Sequence, residues 1–261
     1  MTGLTDLGDL SPDVQGALRR HILTLADSKR LLGIRYSDWL LGAPTLETGI
    51  AASSMAQDEW GHARLLYAML KDLGENPTDV EHDREPEAYA NMPALDHPFS
   101  DWAGVVAAMV LLGGALSVAL EGFAEGRYEA ARSRIPKMLA EAEFHRDMGL
   151  AWVRRLQQGN DEARTRLKEA FRAALPSTLA WLAPDDEAYR RLVAEGLTAP
   201  GDTLHDRFVE RYGPVVALVG VEMPEPDRQG WDEDRARGPG APGMEAVERA
   251  RGDQNRALFV E

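Results

Sequence analysis

Gln57-Asp58-Glu59-Trp60-Gly61-His62, inside the run from Thr45 to Leu73, is the stretch whose reading decides the fold. Glu59 and His62 stand three residues apart, so on a helix they share one face. Met55 and Leu66 fall on that face too, at helical steps of four, three and four. A carboxylate and an imidazole are therefore turned toward apolar neighbours. Charge is costly there unless it is paired or bound to a metal.

Outward from this stretch, the chain reads as helix throughout. No run of alternating apolar residues suggests a strand, and the expected fold class is all-α. The chain has 261 residues and is 44% hydrophobic, enough for a sizeable core and unlike a disordered segment. Its net charge of −14 comes from acids spread along the sequence, which argues against nucleic-acid or anionic-membrane binding. It contains no cysteine, so disulfides and thiolate metal sites are excluded. No basic-then-apolar signal opens the chain, and no apolar run is read as approaching the roughly 20 residues of a membrane span. The expected location is the cytoplasm.

Residues 1–11 read as a flexible lead-in. Ser11-Pro12 then resembles an N-cap with proline at the first helical position. A helix is expected from there to about Leu41, with a weak point at Gly33. Its apolar stripe is Leu18, Ile22, Leu25, Leu32 and Tyr36, and the residue that completes it is Lys29. A lysine at a stripe edge commonly snorkels to water. Asp27 and Asp38 lie on a neighbouring stripe. The second helix starts at Thr45 and ends near Gly74. Residues 75–99, with Pro77, Pro86, Pro93 and Pro98, form a long irregular connection. Ser100 is the expected cap of an apolar third helix with Gly113-Gly114 in its middle, a notch for a neighbouring helix or a ligand. Glu121 and Glu125 follow it, Glu125 read as solvated.

Pro136 reads as the opening of a fourth helix whose inner stripe is Met138, Glu141, His145, Met148 and Trp152. Further helices are expected over Glu162–Leu175, from Pro184-Asp185-Asp186, and from Thr203 to Gly213-Pro214 or Gly220. The boundaries are a bundle over 12–220 and a Pro/Gly-rich tail over 221–261, too polar for core between Glu222 and Gly243. Within that tail Met244–Arg251 is a short amphipathic docking helix.

Two carboxylate–histidine pairs thus fall on apolar stripes of separate helices. Glu-x-x-His on bundle helices is the di-iron carboxylate pattern, in which two such motifs combine with a glutamate from each of two other helices. The plainer alternative is a buried polar network in which each histidine is hydrogen-bonded and nothing is catalysed.

Four strings carry a resemblance: Ser37-Asp38-Trp39 with Ala43-Pro44-Thr45-Leu46; Gln57-Asp58-Glu59-Trp60-Gly61-His62-Ala63; Glu141-Ala142-Glu143-Phe144-His145; and Trp152-Val153-Arg154-Arg155-Leu156 with Gly159. With these the chain resembles the phenylacetic-acid catabolic family, the ferritin-like A and C subunits of multicomponent phenylacetyl-CoA epoxidase. The resemblance implies a ferritin-like four-helix bundle with additional C-terminal helices. It also implies a hetero-oligomer with a catalytic subunit of the same family and a separate reductase.

The resemblance carries metal-binding roles onto Glu59, His62 and His145. The carboxylate positions of the family fall, however, on Lys29, Gly113 and Ala142, and Glu141 stands one step too early. Asp27, Asp38, Glu121 and Glu141 are the remaining carboxylates a rearranged site would recruit. Three readings follow. The chain is a structural C-type subunit with no metal and a Lys29–Glu59 ion pair in a remnant site; or a catalytic oxygenase holding di-iron or a single metal; or a stand-alone helical bundle.

Overall fold

The computed structural model describes Leu4 and residues 6–252. Among them there is no strand, only the isolated bridges Leu4–Tyr128 and Asp232–Arg237. The fold class is all-α, consistent with a ferritin-like helical bundle. Two compact units make up the chain, one of Asp6–Pro98 with the segment from Asp232 onward, the other of Phe99–Trp231 with Leu4.

The first unit is built on α1 (Pro12–Ser37) packed against α2 (Leu46–Tyr67). Ser11 accepts from the Val14 amide, and Thr45 from the Thr48 amide, so each helix starts on a side-chain cap. Leu18, Ile22, Leu25 and Leu32 are fully buried along α1, each contributing about 1.5–3 kcal/mol of apolar transfer. The helix stops at Ser37, short of the expected Leu41. Ser37 Oγ donates to the Ile34 carbonyl, and the amides of Trp39 and Leu40 reach back only three residues, which tightens the chain into turns.

Gly33 is not a weak point but a socket. A Cβ there would stand 2.5 Å from Nε1 of Trp60 and 3.0 Å from the Ala56 carbonyl. Gly33→Ala is expected to cost about 1–3 kcal/mol through overpacking, read as a lower urea midpoint at unchanged slope.

The stretch 75–99 is more regular than proline content suggested. It holds α3 (Pro77–His82) and single turns at Pro86–Ala88 and Pro93–Leu95. It is also tied to α1: Ser28 Oγ accepts from the Met92 amide, and Arg35 donates to the Leu95 and Asp96 carbonyls. Part of the tail enters this unit's core, against expectation. Arg237 is fully buried because Asn91 and Asp96 accept from its guanidinium at 2.8 and 2.5 Å. Met244–Arg251 is helical (α10) and packs on α1 and α3.

In the second unit, α4 (Trp102–Ala107), capped by Asp101 rather than Ser100, runs through five residues of π-helix into α5 (Gly113–Glu125). Contrary to the sequence reading, Trp102–Glu125 is long and apolar enough to cross a membrane by length and composition; most of it is buried as a core helix. Gly114 is a packing notch, since a Cβ there would stand 2.5 Å from the Tyr212 ring.

Three prolines sit inside helices, two where sequence placed boundaries and the third where it allowed either an end or a continuation to Gly220. They are Pro136 in α6 (Glu129–Gln157), Pro176 in α7 (Asp161–Leu182) and Pro214 in α9 (Gly201–Leu218). Each costs one backbone hydrogen bond. Each is flanked by buried apolar residues, Ile135 and Met138, Leu175 and Leu179, Tyr212 and Val215, whose burial holds the helix through the break. Between α7 and α9 lies α8 (Glu187–Ala194), capped by Asp186.

Candidate functional site

Lys29 arrives on the inner stripe of α1 and Glu59 on the inner face of α2. Both are buried completely or nearly so, with Lys29 Nζ 2.8 Å from Glu59 Oε2. The lysine does not snorkel to water. His62, one turn after Glu59, is buried too, and its Nδ1 lies 3.9 Å from the same Oε2, too long for a hydrogen bond. Tyr36 stands two turns after Lys29. Burial, and secondarily the nearby Glu59 charge, pushes its hydroxyl well above the ordinary tyrosine range.

In the other unit, His145 is buried on α6. The inward stripe of that helix is Met138, Ala142, His145, Gly149 and Trp152, a correction to the stripe read from sequence. Gly149 explains the choice: a Cβ there would stand 2.8 Å from Met109 Cβ, so small residues mark the close-packed seam. Glu141 and Met148 fall at its edges. Glu141 is one-third exposed and faces Lys137 at 3.5 Å.

The other carboxylates singled out from sequence are engaged with cations. Asp27, fully buried, accepts from Tyr67 Oη at 2.5 Å, from both terminal nitrogens of Arg84 and from the Ala90 amide. Asp38 pairs with Arg249 at 2.5 Å. Glu121 is held by two nitrogens of Arg211, and Glu125, read as solvated, by two of Arg207. The Asp27–Arg84–Tyr67 cluster, with Arg84 stacked over Tyr89 at 4.6 Å, was not foreseen as a unit. The only sequence signal for it was an aspartate next to an apolar stripe.

These groups do not fit a dinuclear metal centre. Among the described residues no three His, Asp or Glu side chains are placed to hold a metal ion. Glu59 already faces an ammonium, and a cation bound at its carboxylate would be repelled by that charge. What the arrangement supplies is an internally neutralised ion pair in a buried helix interface.

A family model described as phenylacetic acid catabolic protein matches residues 7–240. The chain belongs to that family. Within it, the chain is similar to the A-type subunit of the 1,2-phenylacetyl-CoA epoxidase of Escherichia coli (strain K12), 25% identical over 224 residues that cover 84% of this chain and 72% of the relative. Lys29 and Ala142, two positions onto which the resemblance carried carboxylates, are both buried inside the packed helices.

Three tyrosines give the first unit a measurable alkaline limit. Burial is the main cause that raises Tyr36 and Tyr67 well above 10 and Tyr89 to about 12. Above pH 10 the unfolded chain loses these protons while the folded one keeps them. Stability from these groups is therefore full below about pH 10 and declines as pH climbs toward and through the folded values, by up to about 1.4 kcal/mol per pH unit per tyrosine. Urea midpoints should be level in this respect from pH 8 to about 10 and fall from there to pH 12, with phenolate absorbance appearing only as the protein unfolds. Full tyrosine ionisation in folded protein at pH 10.5 would contradict this.

Proposed function

We propose that this chain is the structural, non-catalytic subunit of a phenylacetyl-CoA epoxidase type of oxygenase in phenylacetate breakdown. In this reading it forms a cytoplasmic hetero-oligomer with a catalytic subunit of the same family, served by a separate reductase. The observation that carries it is the buried Lys29–Glu59 pair. Its ammonium, 2.8 Å from Glu59 Oε2, neutralises the carboxylate of the Glu-x-x-His motif and disfavours a cation beside it. The bundle is kept while the site loses its ability to gather anionic ligands.

A second reading, a catalytic oxygenase with a rearranged site, has one observation in its favour, the likeness to an A-type subunit. It requires Asp27, Asp38, Glu121 or Glu141 to leave the cations they already serve. The first reading needs no such rearrangement.

The two separate on turnover. Purified chain supplied with phenylacetyl-CoA, ferrous iron, oxygen and a reductase is expected to form no product alone, and to support product formation once a catalytic family member is added. Oxygen-dependent turnover by this chain alone would establish the second reading instead.

A further inference from the structure

The chain carries a net charge of −14, so a place where arginines outnumber carboxylates needs a reason. One lies in the first unit, in a cavity of about 400 Å³ where α1, α2 and α10 meet. Arg30 reaches it from α1, Arg64 from α2 and Arg249 from α10, with Glu248 beside the last. The carboxylates that answer these arginines are few. Arg30 pairs with Glu81 at 2.9 Å. Arg249 pairs with Asp38 at 2.5 Å, but the same carboxylate also faces Arg35 at 3.6 Å. Arg64 is exposed and has no ion pair or side-chain hydrogen bond among the described residues. Arg30, Arg35, Arg64 and Arg249 thus stand against Glu81, Asp38 and Glu248, a surplus of one positive charge.

Two further donors belong to residues of the cavity wall. Nε of Arg30 and Nε1 of Trp60 are closed to solvent and lack an acceptor among the described residues. Buried donors left without an acceptor are costly, and their N–H dipoles add to the positive potential around them. Such a wall suits an anion. Guanidinium groups bind the oxygens of phosphates and carboxylates through charge-assisted hydrogen bonds. Here they come from three separate helices, which fits the spread oxygens of a tetrahedral group better than one flat carboxylate.

We propose that the cavity between α1, α2 and α10 binds a phosphoryl dianion, held by Arg64 with Arg30 and Arg249 and opposed by Glu248. The cavity lies in the size range of small-molecule sites and exceeds what a lone ion needs. It therefore admits either free phosphate or the phosphoryl end of a small organic monoester, whose body would lie on Ile34 and Trp60. A dianion bound there ties α10 to the two long helices. The inference does not rest on the epoxidase reading.

Isothermal titration of the full chain with potassium phosphate near pH 7.5, against potassium chloride at matched ionic strength, tests it. Phosphate should bind with a dissociation constant of about 0.1–1 mM, and chloride should not reproduce the effect. Arg64→Gln should weaken binding at least about fivefold, the loss of a charge-assisted contact. Glu248→Gln should tighten it by removing the opposing charge. Both positions are exposed, and circular dichroism checks that each variant is folded. Hydrogen exchange over residues 244–251 should slow when phosphate is added. Phenyl phosphate distinguishes the source: tighter binding than phosphate assigns the site to an organic monoester, equal or weaker binding to the free ion. No binding at about 10 mM phosphate, or binding that both Arg64→Gln and Glu248→Gln leave unchanged, would overturn the proposal.

Discussion

Lys29→Met should destabilise the protein by about 3–5 kcal/mol, the cost of leaving a buried charge without its counter-ion. Methionine matches the lysine stem in length and flexibility, so the change isolates the ammonium rather than opening a cavity. What it leaves is Glu59, 1% exposed, stripped of the cation 2.8 Å away. The carboxyl can relieve the penalty by taking up a proton, so the loss should be largest above neutral pH and smaller in acid. Glu59→Gln added to Lys29→Met should recover most of the stability, because a neutral amide no longer needs the ammonium. Urea denaturation of both variants and of Glu59→Gln alone gives the coupling energy directly. A single-variant loss under about 1 kcal/mol would mean that the pair is not what holds α1 to α2 at this level.

Asp27→Ala should cost a similar amount, about 3–5 kcal/mol, by a different route. Asp27 is the acceptor on which three separate pieces of the first unit converge: Tyr67 at the end of α2, Arg84 after α3, and the Ala90 amide. Alanine leaves a nearly buried guanidinium, a phenol and a backbone amide without that acceptor at once. The Arg84 charge is partly retained by its stacking on Tyr89 and Tyr67, worth about 1–2 kcal/mol, so the site should loosen rather than invert. Hydrogen exchange should show the stretch 84–96 opening well below the global unfolding free energy in this variant. Asp27→Asn keeps an acceptor of the same shape and should lose less.

The helices that start on a side-chain cap and carry an apolar stripe were legible in the sequence. Ser11-Pro12, Thr45, Asn160 and Asp186 all start helices as their chemistry predicts. The helix interiors at Pro136 and Pro176 were not legible, and at Pro214 the continuation was one of two readings. A local penalty of one hydrogen bond was overruled by burial of residues on either side, which is a property of the packing and not of the local sequence. The pairing of α1 with α2 could be read in part: Lys29 and Glu59 each stood out as a charge on an apolar stripe, and their meeting satisfies both. The inward face of α6 could not, since Glu141 and Ala142 fit a helical stripe about equally well. Only the close approach of Met109 to Gly149 decides between them. Arg237 was hidden for the same reason, because nothing in a Pro/Gly-rich stretch announces that Asn91 and Asp96 wait for it.

An ammonium taking the place of a metal at Glu59 is the claim on which the functional reading depends. Its most direct measurement is the metal content of full-length protein loaded anaerobically with ferrous iron and desalted, compared with Lys29→Glu treated identically. The substitution removes the repelling charge and brings a further carboxylate to Glu59 and His62, the three-donor grouping that the described residues otherwise lack. The unmodified chain should retain far less than one iron per chain, and Lys29→Glu should retain clearly more, with a tighter dissociation constant in metal titrations. Stoichiometric iron in the unmodified chain, held as tightly as in the variant, would contradict that claim.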